Sequence, residues 1–450
     1  MDIKIPKIIE YIIDKLNQNG YEAYIVGGCV RDSIIGREPN DWDVTTSALP
    51  DDIKEVFKTE KTIEVGKKFG TITVIKESTP VEITTFRTEG EYIDGRRPDW
   101  IEFEKDIDKD LSRRDFTINA IAYNNDAGLI DPFGGLIDIE NRLIKSVNNP
   151  YKRFSEDGLR IIRAIRFANQ LEFSIEENTY ESIIELKDKL KNISTERITA
   201  ELFKILLSPK PSIGLNLLLD TGILDYILPE IVDSVDFDQS NPHHDKDVFN
   251  HILCVVDNSP KDLVIRISAL FHDIAKPATF TLDDEGIGHF YGHNKVGKEM
   301  AEKILRRLKA PKKIIKSVKA LVKEHMIYHN DIGNKGLKRL INRVGEEDIF
   351  KLFSLQRADI LCSKATEDIK KIDSLETRVK EILQKDEALS INKLKINGNS
   401  LIQMGIPQGK LIGDILNNLL DIVMENPDLN NEEKLKEIVR EKYIDKEKLN

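Results

Sequence analysis

Cysteine is nearly absent from this chain of 450 residues: Cys29, Cys254 and Cys362 stand singly, far apart. Their spacing suits neither a metal site nor a disulfide framework, so a reducing, cytoplasmic compartment is expected. Long apolar runs are also missing. No stretch approaches the ~20 residues needed to cross a bilayer. The segment from Ile3 to Leu16 is amphipathic and charged every few residues, unlike a signal peptide, so no membrane partner is expected. Positive charge is in deficit, with 67 Lys and Arg against 78 Asp and Glu, a net charge of −11. Nothing global therefore marks a nucleic-acid binder, although a local basic surface is enough for one. One candidate is the run from Lys303 to Lys323, with nine Lys/Arg and no acid. It reads as a solvated helix face or as an RNA-backbone contact.

What is present suits an ordered, helix-rich protein: 40% apolar and 32% charged residues. The fold class expected is α+β. Residues 1–145 mix short β-type runs (Tyr24–Val26, Asp41–Thr45, Gly70–Ile75, Val81–Thr85, Ile121–Tyr123) with helices, predicting an N-terminal head with a small mixed or antiparallel sheet. The rest is helical: a neck and body over 146–239, a domain over 240–365 and a tail over 366–450. There is no internal repeat.

The head is organised around Gly27-Gly28-Cys29-Val30-Arg31-Asp32, followed by Asp41-Trp42-Asp43. Glycines at a strand end let backbone approach a phosphate, because no Cβ intervenes. A helix start over Val30–Ile35 attracts anions. If Asp41 and Asp43 lie on one strand they share a face, about 7 Å apart. Two hard oxygen ligands suit Mg²⁺, which leaves its remaining positions to phosphate and water. Gly27, Gly28 and Arg31 are therefore candidate nucleotide-binding residues, and Asp41 and Asp43 candidate catalytic metal ligands. Glu82 is a candidate third carboxylate. Arg113 and Arg114 in Leu111-Ser112-Arg113-Arg114-Asp115 present adjacent forks that suit triphosphate oxygens.

Ser155-Glu156-Asp157-Gly158-Leu159-Arg160-Ile161-Ile162-Arg163-Ala164-Ile165-Arg166 carries the expected base-reading helix. Ser155 is its expected N-cap, Asp157 and Arg160 are neighbours on one face, and Arg163 and Arg166 continue the ridge. An ionised Asp only accepts hydrogen bonds and an Arg only donates. Side by side they demand an amino donor next to a ring-nitrogen acceptor, which cytosine and adenine offer and uracil and guanine do not. The plainer reading is an Asp–Arg surface pair worth ~0.3–0.5 kcal/mol. Glu196-Arg197-Ile198-Thr199-Ala200-Glu201-Leu202 reads as helix capping without chemistry.

All eight histidines fall between His243 and His329. The core of this cluster is His251, Phe271-His272-Asp273-Ile274-Ala275-Lys276, His293, His325 and Asp359. His243, His244, His289 and His329 read as solvated or supporting. Imidazole with carboxylate suits Mn, Fe, Ni or Zn more than Mg²⁺ alone.

In combination, the glycine turn, the paired acids, the arginine motif, Asp131–Ile139 and the Glu-Asp-x-x-Arg stretch resemble the class II tRNA nucleotidyltransferases, the CCA-adding enzymes and bacterial poly(A) polymerases. The resemblance implies that the terminal CCA of tRNA is built or repaired from CTP and ATP without a nucleic-acid template. Asp131–Ile139 would be a hinge, Thr85–Pro98 the flexible loop needed for the final A, and residues 389–423 part of a tRNA-gripping tail. His251, His272, Asp273 and Asp359 resemble the ligand signature of the HD superfamily of phosphohydrolases, with His293 and His325 as candidate ligands of a second metal. Poly(A) polymerase, the A-adding partner of a divided CCA system, and a phosphatase or phosphodiesterase with a nucleotide-binding head are the alternatives. The oligomeric state is left open.

Overall fold

Thr71–Lys76 reads Thr-Ile-Thr-Val-Ile-Lys, and its isoleucine and valine at alternate positions are buried, the two-residue period of a strand with one face on a core. In the computed structural model this strand lies inside a mixed sheet. The structure describes residues 3–90, 100–240, 246–329, 332–364, 366–385 and 388–444. These form two compact units, 1–229 and 230–450.

In the first unit, α1 (Lys7–Gln18) precedes β1 (Ala23–Val26), α2 (Gly28–Ile34), β2 (Val44–Thr46) and α3 (Pro50–Val56). Then come β3 (Lys61–Ile63), β4 (Thr71–Lys76), β5 (Thr79–Thr85), β6 (Arg87–Glu89), β7 (Ile101–Phe103) and α4 (Ile107–Ser112). β8 (Ala122–Asn124) and β9 (Gly128–Ile130) complete a seven-stranded sheet of order β3-β4-β5-β2-β1-β8-β9. Only β2 and β5 pair in parallel within it. The α+β head with its small mixed sheet is therefore as expected.

One expectation is corrected. Asp41-Trp42-Asp43 does not belong to a strand; pairing begins at Val44, where the β-branched run starts. Asp43 is nevertheless tied to β1, because its carbonyl accepts from the Val26 amide at 3.1 Å. Beneath β1 and β8, Tyr24, Val26, Phe86, Leu111, Ala120, Ala122 and Val147 make one buried cluster. Each large side chain so buried contributes about 1.5–3 kcal/mol.

The helices that follow are α5 (Gly135–Glu140), α6 (Pro150–Glu156), α7 (Leu159–Leu171), α8 (Glu177–Leu186), α9 (Thr195–Leu206), α10 (Pro211–Asp220), α11 (Leu224–Ile227) and α12 (Pro229–Val232). The expected single helix from Ser155 is two. Asn149 caps α6 by accepting from the Lys152 amide, with Pro150 at the first helical position. Asp157 ends α6 in an extended conformation, and α7 starts after Gly158.

The second unit contains α13 (Val248–Asn258), α14 (Leu263–Phe271), α15 (Lys276–Thr279), α16 (His293–Arg307), α17 (Lys312–Glu324), α18 (Asn334–Val344), α19 (Ile349–Leu361) and α20 (Ile369–Gln384). Its end, α21 (Gly398–Gln403), α22 (Lys410–Glu425) and α23 (Glu432–Val439), has its own core around Leu401, Ile415, Leu419, Leu435 and Val439. The cysteine reading is also corrected: Cys254 on α13 and Cys362, just past α19, form a disulfide, and only Cys29 is free. They are 108 residues apart, so only the packing of α13 on α19 brings them together. Among the described residues no helix is long and apolar enough to cross a membrane.

Candidate functional site

The glycine turn is the first element of the site in unit 1. Gly27 has φ +79°, a region that penalises any Cβ. A Cβ there would also stand 2.9 Å from Arg114 Nη1. The turn is thus glycine both for its backbone and to admit Arg114. That arginine is loosely held: Nη2 reaches Asp110 at 3.4 Å, and Nε is buried without a hydrogen-bond partner among the described residues. Asp41 and Asp43 are both exposed. Surrounding protein desolvates the Asp43 carboxyl and raises it above the usual range; Arg114 opposes the shift and Asp41 adds to it. Arg114, set against Gly27, thus acts on Asp43, as does Asp41. Glu82 lies exposed on β5, opposite Thr73.

Arg113 is engaged differently. It forks onto the fully buried Asp110 through Nε at 3.0 Å and Nη2 at 2.8 Å, and reaches Glu89 at 2.9 Å. Asp110 also accepts from the Arg87 amide, at the root of the expected flexible loop. Glu91–Pro98 of that loop lie outside the described residues.

Arg31 is buried and forks onto Asp32 at 2.9 and 2.8 Å. Its Nη1 donates to Asn119 Oδ1 at 2.5 Å, Asn119 Nδ2 donates to Asp115 Oδ1 at 3.0 Å, and Arg163 donates to Asp115 Oδ2 through Nε at 2.8 Å and Nη2 at 2.5 Å. Burial alone would raise Asp115, but Arg163 and Asn119 hold its carboxyl well below the usual range. The chain Asp32–Arg31–Asn119–Asp115–Arg163 so joins α2 to α7. The Phe167 ring lies under three guanidinium carbons, Arg166 at 3.8 Å, Arg31 at 5.0 Å and Arg163 at 5.3 Å. Burial, with the like charges of Arg163 and Arg31, pulls Arg166 down to about 10, while Glu201 opposes the shift.

Asp157 and Arg160 are each held by other groups. Asp157 Oδ1 accepts from the Leu159 amide at 3.0 Å, and Arg197 forks onto the carboxylate at 2.7 and 3.3 Å. Arg160 donates to Glu156 at 2.7 Å and to the carbonyls of Arg153 and Arg113 at 3.0 Å each. Arg166 pairs with Glu201 at 2.5 Å. Arg197 and Glu201, both on α9, pair with these side chains, where the sequence suggests helix capping alone. Their four-residue spacing, which sets them on one face of a helix, was the available signal.

In unit 2, six side chains from α13, α14, its C-terminal turn, α16, α17 and α19 converge. His251 Nε2 lies 3.1 Å from Asp359 and 3.3 Å from His272 Nε2; His272 Nε2 lies 3.2 Å from Asp273. His293 Nε2 lies 3.2 Å from His325 Nε2 and 3.4 Å from Asp273. His251, His272 and Asp273 form one group able to hold a metal, and Asp273, His293 and His325 another. The donor chemistry fits cations. Nδ1 of His272, His293 and His325 sits 2.7–2.8 Å from the carbonyls of Ala269, Phe290 and Val322. A carbonyl only accepts, so Nδ1 holds the proton and each Nε2 turns a lone pair inward. Burial and the neighbouring imidazoles push His325 down to about 3, which keeps it neutral. Facing lone pairs cannot bond each other, but a metal ion between them can accept both. Lys276, buried, donates to Asp273 at 2.7 Å and to Gln239 at 2.7 Å. His289 pairs with Asp283 away from this cluster. His243 and His244 lie outside the described residues.

The basic run on α16 and α17 is partly neutralised: Glu302 pairs with Arg306 and Lys319, and Glu230 with Arg307.

Residues 23–145 match the poly A polymerase head domain family, 172–234 the "Probable RNA and SrmB-binding site of polymerase A" family, and 280–439 the tRNA nucleotidyltransferase domain 2 family. Among curated relatives, the chain is 50% identical over 216 residues to the CCA-adding enzyme of Geobacillus sp. (strain WCH70), covering 48% of this chain and 53% of that one. It is 46% identical over 215 residues to that of Enterococcus faecalis, covering 48% and 52%. The chain thus spans about half the length of the curated relatives it matches. Among solved structures, the Bacillus stearothermophilus CCA-adding enzyme in complex with CTP superposes over 98% of both chains, with a TM-score of 0.71 and 27% identity. The Thermotoga maritima CCA-adding enzyme complexed with tRNA shares the fold at a TM-score of 0.54 and 23% identity, over 98% and 97% of the chains.

Proposed function

We propose that this chain is a class II tRNA nucleotidyltransferase that adds or repairs the 3′-terminal CCA of tRNA from CTP and ATP, in the cytoplasm and without a nucleic-acid template. The observation that carries the reading is Arg114, a guanidinium with an unsatisfied buried donor, set against Gly27 and within electrostatic reach of Asp43, which Asp41 also influences. That is the arrangement a triphosphate and its cation require. The likeness to CCA-adding enzymes, one of them holding CTP, supports the same substrates.

In this reading Asp41 and Asp43 hold Mg²⁺. Bound there, Mg²⁺ would supply charge neutralisation at the phosphates and favour ionisation of the primer hydroxyl. Arg114 orients the triphosphate, with the Gly27-Gly28 backbone beside it. Arg113 is positioned by Asp110 and Glu89, and Arg31 by Asp32 and Asn119. Asp157 and Arg160 read the base edge, fixed by Arg197 and Glu156. Arg163 and Arg166 support them through Asp115 and Glu201. The primer 3′-oxygen bonds to the α-phosphorus, the bond to the β-phosphate oxygen breaks, and pyrophosphate leaves. Incubation with tRNA lacking its 3′ end should extend it with CTP and ATP and not with UTP or GTP. Equal use of UTP would sink the base-reading argument, and a long A tract from ATP alone would favour a poly(A) polymerase.

A second reading rests on the six-ligand cluster of unit 2. His251, His272, Asp273 and Asp359, with His293 and His325, would hold one or two divalent ions, Mn, Fe, Ni or Zn before Mg²⁺, for phosphoester hydrolysis. Turnover of bis-p-nitrophenyl phosphate or p-nitrophenyl phosphate by the Mn²⁺-loaded chain, lost in His272→Ala, tests it.

A further inference from the structure

A cavity of about 490 Å³ opens between the turn His325–His329 and one face of α20. Lys370, Ser374 and Arg378 follow at four-residue spacing, so they share a face, with Lys371 beside them. No acid lines this cavity among the described residues. Lys370 is exposed and has no ion pair among them. Arg378 donates to Asn334, a neutral acceptor that leaves its charge uncancelled. Lys371 is paired with the partly buried Asp368 at 2.8 Å, which offsets its charge. Two cations free of acidic partners among the described residues, a third offset by Asp368, a hydroxyl and an apolar wall of Ile332 and Leu375 make a site for a phosphate attached to an organic group.

The cavity adjoins the metal cluster through Tyr328. This residue is buried, lies one turn beyond His325, and feels the carboxylates of Asp359, Asp368 and Asp273. Asp359 is the least buried of the six candidate ligands. Asp359 has 12% of its side chain exposed, against 8% for His293 and 4% or less for the other four ligands.

We infer that the cavity holds a second phosphate of whatever phosphoester is hydrolysed at the metal cluster, so that the substrate carries at least two phosphate groups on a nucleoside or short RNA. The inference rests on the hydrolase reading above and narrows it. Water adds to phosphorus at the cluster, the P–O ester bond breaks, and the alcohol leaves with a proton. The other phosphate stays on Lys370, Lys371 and Arg378.

The test is a comparison on the full Mn²⁺-loaded chain of p-nitrophenyl phosphate, adenosine 3′,5′-bisphosphate and a 5′-phosphorylated diribonucleotide. The two-phosphate compounds should show the lower KM, and the bisphosphate and dinucleotide arms separate a mononucleotide from an RNA end. Lys370→Ala/Arg378→Ala should raise KM for them about 10–100-fold and leave kcat and all p-nitrophenyl phosphate kinetics in place. Equal KM for one and two phosphates, or no change in the double variant, overturns the inference while sparing the hydrolase reading. If no phosphoester is turned over, that reading fails. The cavity is then judged by calorimetry with adenosine 3′,5′-bisphosphate under saturating CTP. Binding that the double variant loses supports it, and absent binding overturns it.

Discussion

Asp157 is gripped by Arg197, 40 residues further along, through two guanidinium–carboxylate bonds of 2.7 and 3.3 Å. The acid read as the acceptor for a base amino group is therefore oriented by a residue on α9, a separate helix from the one that carries Arg160. Bidentate pairing fixes a carboxylate plane in a way a single bond does not.

Arg197→Met should free that carboxylate. An unpositioned acceptor discriminates less, and each misplaced buried hydrogen bond is worth ~1–3 kcal/mol. The expected result is about a 10–100-fold fall in selectivity for CTP over UTP, with ATP-dependent addition also weakened. Arg197→Lys should restore part of it. Competition assays on truncated tRNA measure both, and circular dichroism checks that α9 persists.

Gly27→Ala tests the approach of Arg114. The backbone of Gly27, at φ +79° and ψ −124°, lies outside the regions other residues adopt readily and costs about 1–3 kcal/mol for alanine, and the new methyl meets Arg114 Nη1 at 2.9 Å. The arginine end moves more easily than the backbone. Its displacement should raise KM for both CTP and ATP, with a smaller loss of thermal stability. Unchanged KM for both would mean that Arg114 does not serve the triphosphate.

Much of this was legible beforehand, and the misses have physical causes. The glycine turn and the adjacent arginines could be found because each needs special residue types close together in sequence, and the histidine cluster because all eight histidines fall between His243 and His329. The strand over Asp41–Thr45 was drawn too long, since only Val44, Thr45 and Thr46 are β-branched and paired. Asp157 was placed inside a helix although Asn149-Pro150 is a helix-start signal in its own right. Cys254 and Cys362 meet only through tertiary packing, which no local pattern reports.

The acid pH profile of α1 docking follows from Glu60. It accepts from Tyr11 at 2.5 Å and from Lys15 at 2.9 Å. Burial would raise its carboxyl, but Tyr11 and Lys15 bring it down to about 2. A folded value below the unfolded one means the stabilisation is fully present above about 4.5 and is lost as pH falls towards about 2. Wild type should exceed Glu60→Gln in urea midpoint at pH 6, and the gap should shrink by pH 3. A gap that widens on acidification contradicts the assignment.

The disulfide gives a redox prediction. Cys254 lies one turn beyond His251 and Cys362 one turn beyond Asp359, so the link braces the helices that carry two candidate ligands. Closing a loop across 108 residues stabilises by about 2–5 kcal/mol in the loop-entropy picture. Dithiothreitol should lower the unfolding midpoint of residues 230–450 and speed Mn²⁺ loss to chelator. Cys254→Ser should show both effects without reductant and no further response to it.

The crowding of Arg31, Arg163 and Arg166 on one phenyl ring has a consequence for energetics. The repulsion of Arg163 and Arg31 on Arg166 is set up during folding, and the carboxylates of Asp32, Asp115 and Glu201 offset only part of it. A polyanion entering nearby relaxes that stored repulsion, so saturation with nucleotide should lift the melting temperature of the N-terminal half beyond what its direct contacts would supply, and added salt should mimic part of the gain.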